Sequence, residues 1–153
     1  MYLSFMKKDE QRPHILVIQQ YFYPDISAVS QLLVDLLSPL SDEYEITVLC
    51  SSVYNSVEKY DELPESINGV KILRIRGIKA GKKSFFHRLA EYSTFYLGAL
   101  FHVLMHREYS LVVSMTTPPL IGFFAALGNI AHRRPLIQYV EDLYPELLFD
   151  MGY

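Results

Sequence analysis

The chain has 153 residues, enough for one domain around one sizeable core. Half of its residues are hydrophobic and its formal charge is -3, a balance that supports a buried sheet and excludes a general nucleic-acid binder. One cysteine, Cys50, excludes an intrachain disulfide and fits a reducing, cytoplasmic compartment.

Residues 1–13, MYLSFMKKDEQRP, read as a tail. They are not a secretory signal, because the lysines follow the apolar residues and the apolar stretch is too short. The domain proper is expected over 14–153. It opens with HILVIQ (His14 to Gln19), a nearly continuous apolar run of the kind found in strands covered on both faces. The following loop, QQYFYPDISAVSQ, holds three aromatics with Pro24, Asp25 and Ser30. It reads either as a ligand-facing loop that opens a helix, whose free N–H groups attract anions, or as an aromatic plug with a helix cap. It has no glycine, so it is not a dinucleotide fingerprint.

In the helix that follows, Val29, Leu32, Leu33, Leu36, Leu37 and Leu40 recur at helical spacing and predict one apolar face, with Ser27 as cap and Pro39 near the end. EITVLCS (Glu45 to Ser51) is the second strand. VKILRIR (Val70 to Arg76) follows an Asn68-Gly69 turn signal and carries Lys71, Arg74 and Arg76, which places it at a sheet edge. A second helix is predicted from about Ser84 to His106. Its lead contains Lys79, Lys82, Lys83 and Arg88 with Phe85 and Phe86, and Tyr92 to Met105 carry no full charge. A basic lead into an aromatic-rich helix suits adsorption to an anionic membrane surface, with one face kept for the core.

From Ser110 to Ala131 the chain is uncharged and long enough for a membrane span, but Pro118-Pro119 divides it. A strand, LVVSM (Leu111 to Met115), and a helix beginning at Pro118 or Pro119 are the better reading. Thr116 and Thr117 lie between them, as ligand-binding hydroxyls or as caps of that third helix. LIQYV (Leu136 to Val140) is the last strand. It runs into EDLYPE, where Glu141, Asp142 and Glu146 fall within six residues. Carboxylates at a strand's end hydrogen-bond sugar hydroxyls or act as acid/base groups, and they also cap helices. The histidines show no metal-ligand spacing, so neither a metal nor a cofactor is assigned.

Strands and helices alternate in a pattern that predicts an α/β domain with a doubly wound, five-stranded parallel sheet, HILVIQ central. Ligands of such sheets bind beyond the carboxyl ends of the strands, where the strand order reverses.

The ordered set ILVIQQYFYPDIS, ITVLCS, GKKSFFHRLAEYSTFYLGAL, MTTPPLIG and YVEDLYPE resembles the N-terminal domain of family 4 glycosyltransferases, in particular the bacterial enzymes of O-antigen and colanic acid type surface polysaccharides. The resemblance covers His14 to Tyr153. It implies the Rossmann-like, acceptor-side half of a GT-B retaining enzyme, whose donor domain and its paired glutamates lie outside this chain. The substrates implied are a nucleotide-diphosphate sugar and a polyprenyl-linked glycan, at the cytoplasmic surface of the inner membrane. Asp142 and Glu141 would face the reacting sugar, and Pro24, Asp25, Ser30, Thr116, Thr117, Tyr144 and Glu146 would line the substrate cleft. Two departures are that many members carry a glycine in the first loop, and that relatives often have glutamine or histidine where Glu141 stands. A non-catalytic, membrane-recruiting subunit of a split two-chain glycosyltransferase is the alternative.

Overall fold

A computed structural model describes residues 12–52, 63–77 and 85–140, the side chains of 85–88 excepted. The elements in chain order are β1 (His14–Ile18), α1 (Ala28–Leu40), β2 (Glu45–Ser51), β3 (Ser66–Ile67), β4 (Val70–Ile75), α2 (Phe85–Met105), β5 (Leu111–Ser114), α3 (Ile121–Asn129) and β6 (Leu136–Gln138). The six strands form one sheet in the order β3-β4-β2-β1-β5-β6. Every pairing is parallel except β3 with β4. From β1 the chain moves to β2 on one side and later returns to β5 on the other, so the strand order reverses between β1 and β5.

The expectation of an α/β, mostly parallel sheet with HILVI inside it is met. The expected count of five strands, with VKILRIR outermost, is corrected. Asn68 and Gly69 both take positive φ, 46° and 81°, and turn the chain into a two-residue antiparallel strand, β3, that covers that edge. One of the charges read as edge signals, Arg74, has other work. The Arg74 guanidinium donates to the carbonyl oxygens of Pro64 and Tyr23, tying β4 to the loop after β1.

Two cores lie on opposite faces of the sheet. Leu16, Ile18, Leu49 and Val112 pack with Phe95, Ala99 and Val103 of α2 and Ile121 and Ala125 of α3. Val17, Ile46, Val48 and Ile72 pack with Leu33 and Leu37 of α1. Strand alternation produces this split, since neighbouring residues point to opposite faces. Each fully buried side chain of this size contributes about 1.5–3 kcal/mol relative to exposure. Cys50 sits in the second core, and burial pushes its thiol pKa up to about 12.

The predicted leucine face of α1 is only half used. Leu33 and Leu37 are buried, whereas Leu32 and Leu36 are each 51 % exposed. They line an apolar groove of about 340 Å³ with Leu40, Leu111, Val113 and Tyr139. Among the described residues α1 is the helix that packs on this face, and β6, read as buried on both faces, stands at an edge with Ile137 half exposed. Among the described residues no helix is long and apolar enough to cross a membrane, and 110–131 divides into β5 and α3 as expected.

Candidate functional site at the carboxyl edge of the sheet

The loop from β1 to α1 is held by its own polar groups. The Asp25 amide donates to the Phe22 carbonyl at 3.0 Å, and its carboxylate accepts from the Ser27 amide at 2.8 Å. Ser27 in turn caps α1, its hydroxyl accepting from the Ser30 amide. Phe22 is the aromatic plug, fully buried under the loop. The plug and the cap of the second reading are both present, and a hollow of about 270 Å³ lies beside them. Tyr23, Pro24, Asp25, Ser30 and Asp35 line it. The buried Ser30 hydroxyl has no hydrogen-bond partner.

The loop from β5 to α3 corrects an expectation. Helix α3 begins at Ile121, not at either proline, and its N-cap is Leu120, with φ 68° and no side-chain capping bond. Thr116 and Thr117 therefore do not cap it. Both Tyr23-Pro24 and Thr117-Pro118 are cis. Thr116 is partly buried and its Oγ1 has no partner. The loop is anchored to α2, since the Tyr96 hydroxyl donates to the Pro119 carbonyl and its ring stacks on Phe124 at 4.6 Å.

The two loops meet above β1. The Gln20 amide donates to Thr117 O at 3.1 Å, the Met115 amide to Ile18 O at 3.0 Å, and the Ser51 amide to Gln20 O at 2.8 Å. Pro24, Asp25 and Ser30 thus share one hollow, while Thr116 and Thr117 stand on the neighbouring loop across the strand-order reversal.

Sequence reasoning missed the residues between them. Gln19 and Gln20 are buried, and the Oε1 atom of each lacks a partner. Glu91 of α2, 8 % exposed, accepts from Gln20 Nε2 and from the Tyr21 hydroxyl, each at 3.3 Å. Burial first, and then the Glu91 charge, hold the Tyr21 phenol far above its ordinary range, so it stays a donor. Two signals were present. A glutamine pair ends an otherwise apolar strand, and Glu91 is the single acid of a 21-residue helix.

Three histidines, His14, His102 and His106, line a groove of about 440 Å³ at the opposite, amino edge. His14 bonds Thr47 at 2.8 Å, His102 bonds the Tyr109 hydroxyl at 2.8 Å, and His106 bonds Glu108 at 2.7 Å. These are satisfied structural histidines, and among the described residues no group of His, Cys, Asp and Glu is arranged to hold a metal ion. Glu141, Asp142, Tyr144, Glu146, Lys79, Lys82 and Lys83 lie outside the described residues, as do the side chains of Phe85, Phe86 and Arg88.

No family model and no curated protein matches the chain. Among solved structures it is similar to the C-terminal domain of a hydrogenase from Pyrococcus furiosus, at 15 % identity and a TM-score of 0.51, covering 85 % of this chain and 93 % of that one. At that identity the likeness shows the α/β fold alone.

Proposed function

We propose that this chain is the acceptor-side domain of a retaining glycosyltransferase. The enzyme transfers a sugar from a nucleotide-diphosphate donor to a lipid-linked glycan during surface-polysaccharide synthesis. One observation carries this reading. Gln19, Gln20, Ser30 and Thr116 hold side-chain oxygens that are buried without a partner among the described residues; Gln19 and Gln20 follow β1, Ser30 is in the first turn of α1, and Thr116 is on the loop after β5. Buried polar atoms are normally satisfied, and unsatisfied ones are costly unless a ligand or water completes them. Amide and hydroxyl groups at the strand-order reversal of a parallel sheet suit a polyhydroxylated ligand better than a dinucleotide, for which the glycine fingerprint is missing. The ordered motifs from ILVIQQYFYPDIS to YVEDLYPE agree with this reading.

In the reaction an acceptor hydroxyl bonds to the anomeric carbon as the nucleotide diphosphate leaves. This domain holds the acceptor, and a second, donor-binding domain holds the phosphates and stabilises the charge that develops. The resemblance assigns Asp142 and Glu141 to the reacting sugar and Tyr144 and Glu146 to substrate binding. The enzyme works at the cytoplasmic face of the inner membrane, where α2 meets the surface.

Transfer is measured with a donor-binding domain supplied by fusion or as a separate chain. The complete enzyme is expected to transfer sugar. Asp142→Asn is then expected to lower kcat by about tenfold or more with little change in donor KM, because its contacts strengthen in the transition state. Normal turnover of that variant removes Asp142 from the site, and no transfer by any completed enzyme overturns the assignment.

A further inference from the structure

We propose that residues 141–153 of this chain close the apolar groove beside α1, with Leu147, Leu148 and Met151 seated in it. The proposal names what docks on this face of the sheet. It goes beyond the function proposed above and does not rest on it.

Among the described residues the groove is open. Leu32, Leu36 and Leu40 line it from the helix, and Leu111, Val113 and Tyr139 line it from the sheet. Every side chain lining it is apolar apart from the Tyr139 hydroxyl. Leu32, Leu36 and Tyr139 are each about half exposed. Single exposed leucines are ordinary, but a continuous apolar hollow offers water nothing to bond and favours a hydrocarbon occupant.

The chain's own continuation is well placed to supply it. The described residues end at Val140, directly after Tyr139, which lines the groove. Strand β6 is parallel to β5, so its end lies at the carboxyl edge of the sheet. Helix α1 starts from that edge too, because it joins the parallel strands β1 and β2. A chain that turns back from β6 over this face therefore runs beside α1 and in the same direction.

The sequence beyond Val140 carries a matching stripe. Tyr144, Leu147, Leu148 and Met151 fall at i, i+3, i+4 and i+7, the spacing of one helix face, while Glu146 and Asp150 fall on the other side. At 1.5 Å per residue the stripe is about 10 Å long, against about 12 Å from Leu32 to Leu40 along α1. The other end of the chain fits less well. Arg12 donates to the Ser41 carbonyl oxygen at 2.8 Å, beyond the end of α1, and the residues before it, KKDEQ, are all polar. Burying such a run in an apolar groove is costly.

Disulfide trapping in the full chain tests the proposal. Leu36→Cys is combined with Leu148→Cys or with Leu3→Cys. Phe123→Cys with Leu148→Cys is the reference pair, because Phe123 is exposed on α3, across the sheet from α1. Cys50 stays in place, buried in the core. A disulfide requires Cα atoms within roughly 7 Å of each other. Mild oxidation is expected to join positions 36 and 148 within one chain, at least about tenfold faster than the reference pair. A bond that forms only between two chains gives the groove to a second copy and overturns the proposal. A bond that forms as readily from position 3, or no faster than the reference, overturns it as well. Where the cysteine variants do not fold, urea midpoints of Leu36→Ala, Leu148→Ala and the double variant decide. Side chains in contact share their loss, so the double variant is expected to lose less than the two single losses together. Additive losses overturn the closure.

Discussion

His102 shows how one side chain couples packing to solution conditions. It stacks on His106 at 4.2 Å, bonds the Tyr109 hydroxyl, and has Glu108 and Arg134 as charged neighbours. Burial, and then the neighbouring His106, lower its pKa from 6.5 to about 4. The folded chain therefore binds fewer protons than the unfolded one between those values. Stability falls as pH drops through that window, and this contribution is fully lost below it. Tm measured from pH 7 to pH 4 is expected to decline less steeply in His102→Gln than in the parent chain. Parallel curves would show that His102 does not titrate with unfolding. Residue-scale chemistry of this kind was partly legible beforehand. Asp25 and Ser30 line one hollow, and His14, His102 and His106 each have a hydrogen-bond partner. Glu91 escaped notice because its partners, Gln20 and Tyr21, lie some seventy positions earlier, a distance no local pattern spans.

Elements were more legible than single residues, because periodicity reports burial directly. The apolar runs located all four interior or near-interior strands to within a residue or two, and the helical spacing located α1. What failed was inference about cover. The leucine face of α1 is wider than the surface it meets, and β6 is as apolar as a buried strand while standing at an edge. A strand of two residues, β3, has too little sequence to announce itself. Helix pairing depends on similar detail. A Cβ added at Gly128 would stand 2.8 Å from the Leu100 carbonyl oxygen and 3.0 Å from Val103 Cβ. A backbone oxygen cannot step aside, so α2 and α3 must separate. Gly128→Ala is expected to lower stability, since overpacking costs about 1–3 kcal/mol and the gain in helix propensity is only about 1 kcal/mol. Urea midpoints of the two proteins measure the balance, and a higher midpoint for the alanine variant would mean the helices adjust freely.

At the scale of the molecule, α2 from Leu89 onward and α3 carry no charged residue except the buried Glu91. Phe101 is 59 % exposed on α2, and Phe123 is 64 % exposed on α3. Arg107 and Arg133, both exposed, follow the C-terminal ends of the two helices. Apolar area with cationic flanks is the composition that adsorbs to anionic lipid. The chain is expected to pellet with anionic vesicles, less so as salt rises. Paired Phe101→Ser and Phe123→Ser substitutions, or glutamate at Lys79, Lys82 and Lys83, should each reduce pelleting. Equal binding to neutral vesicles, insensitive to salt, would assign this surface to something other than a charged membrane. The sequence suggests the basic lead of this helix as the contact, and that lead lies outside the described residues; the exposed Phe101 and Phe123 are the second expected contact.

The placement of Cys50 turns the protein into its own clock. The thiol is the only one in the chain, sits in β2 with β1 and β4 on either side, and has no exposed surface. A thiol reagent reaches it only when the middle of the sheet parts, and its raised pKa keeps the closed form unreactive. The rate at which label accumulates under native conditions thus counts openings of the central strands and ignores fraying at the edges. A ligand that bridges the loops above β1 and β5 must slow that count by the fraction of time it stays bound, whether or not the chemistry of its transfer is ever observed.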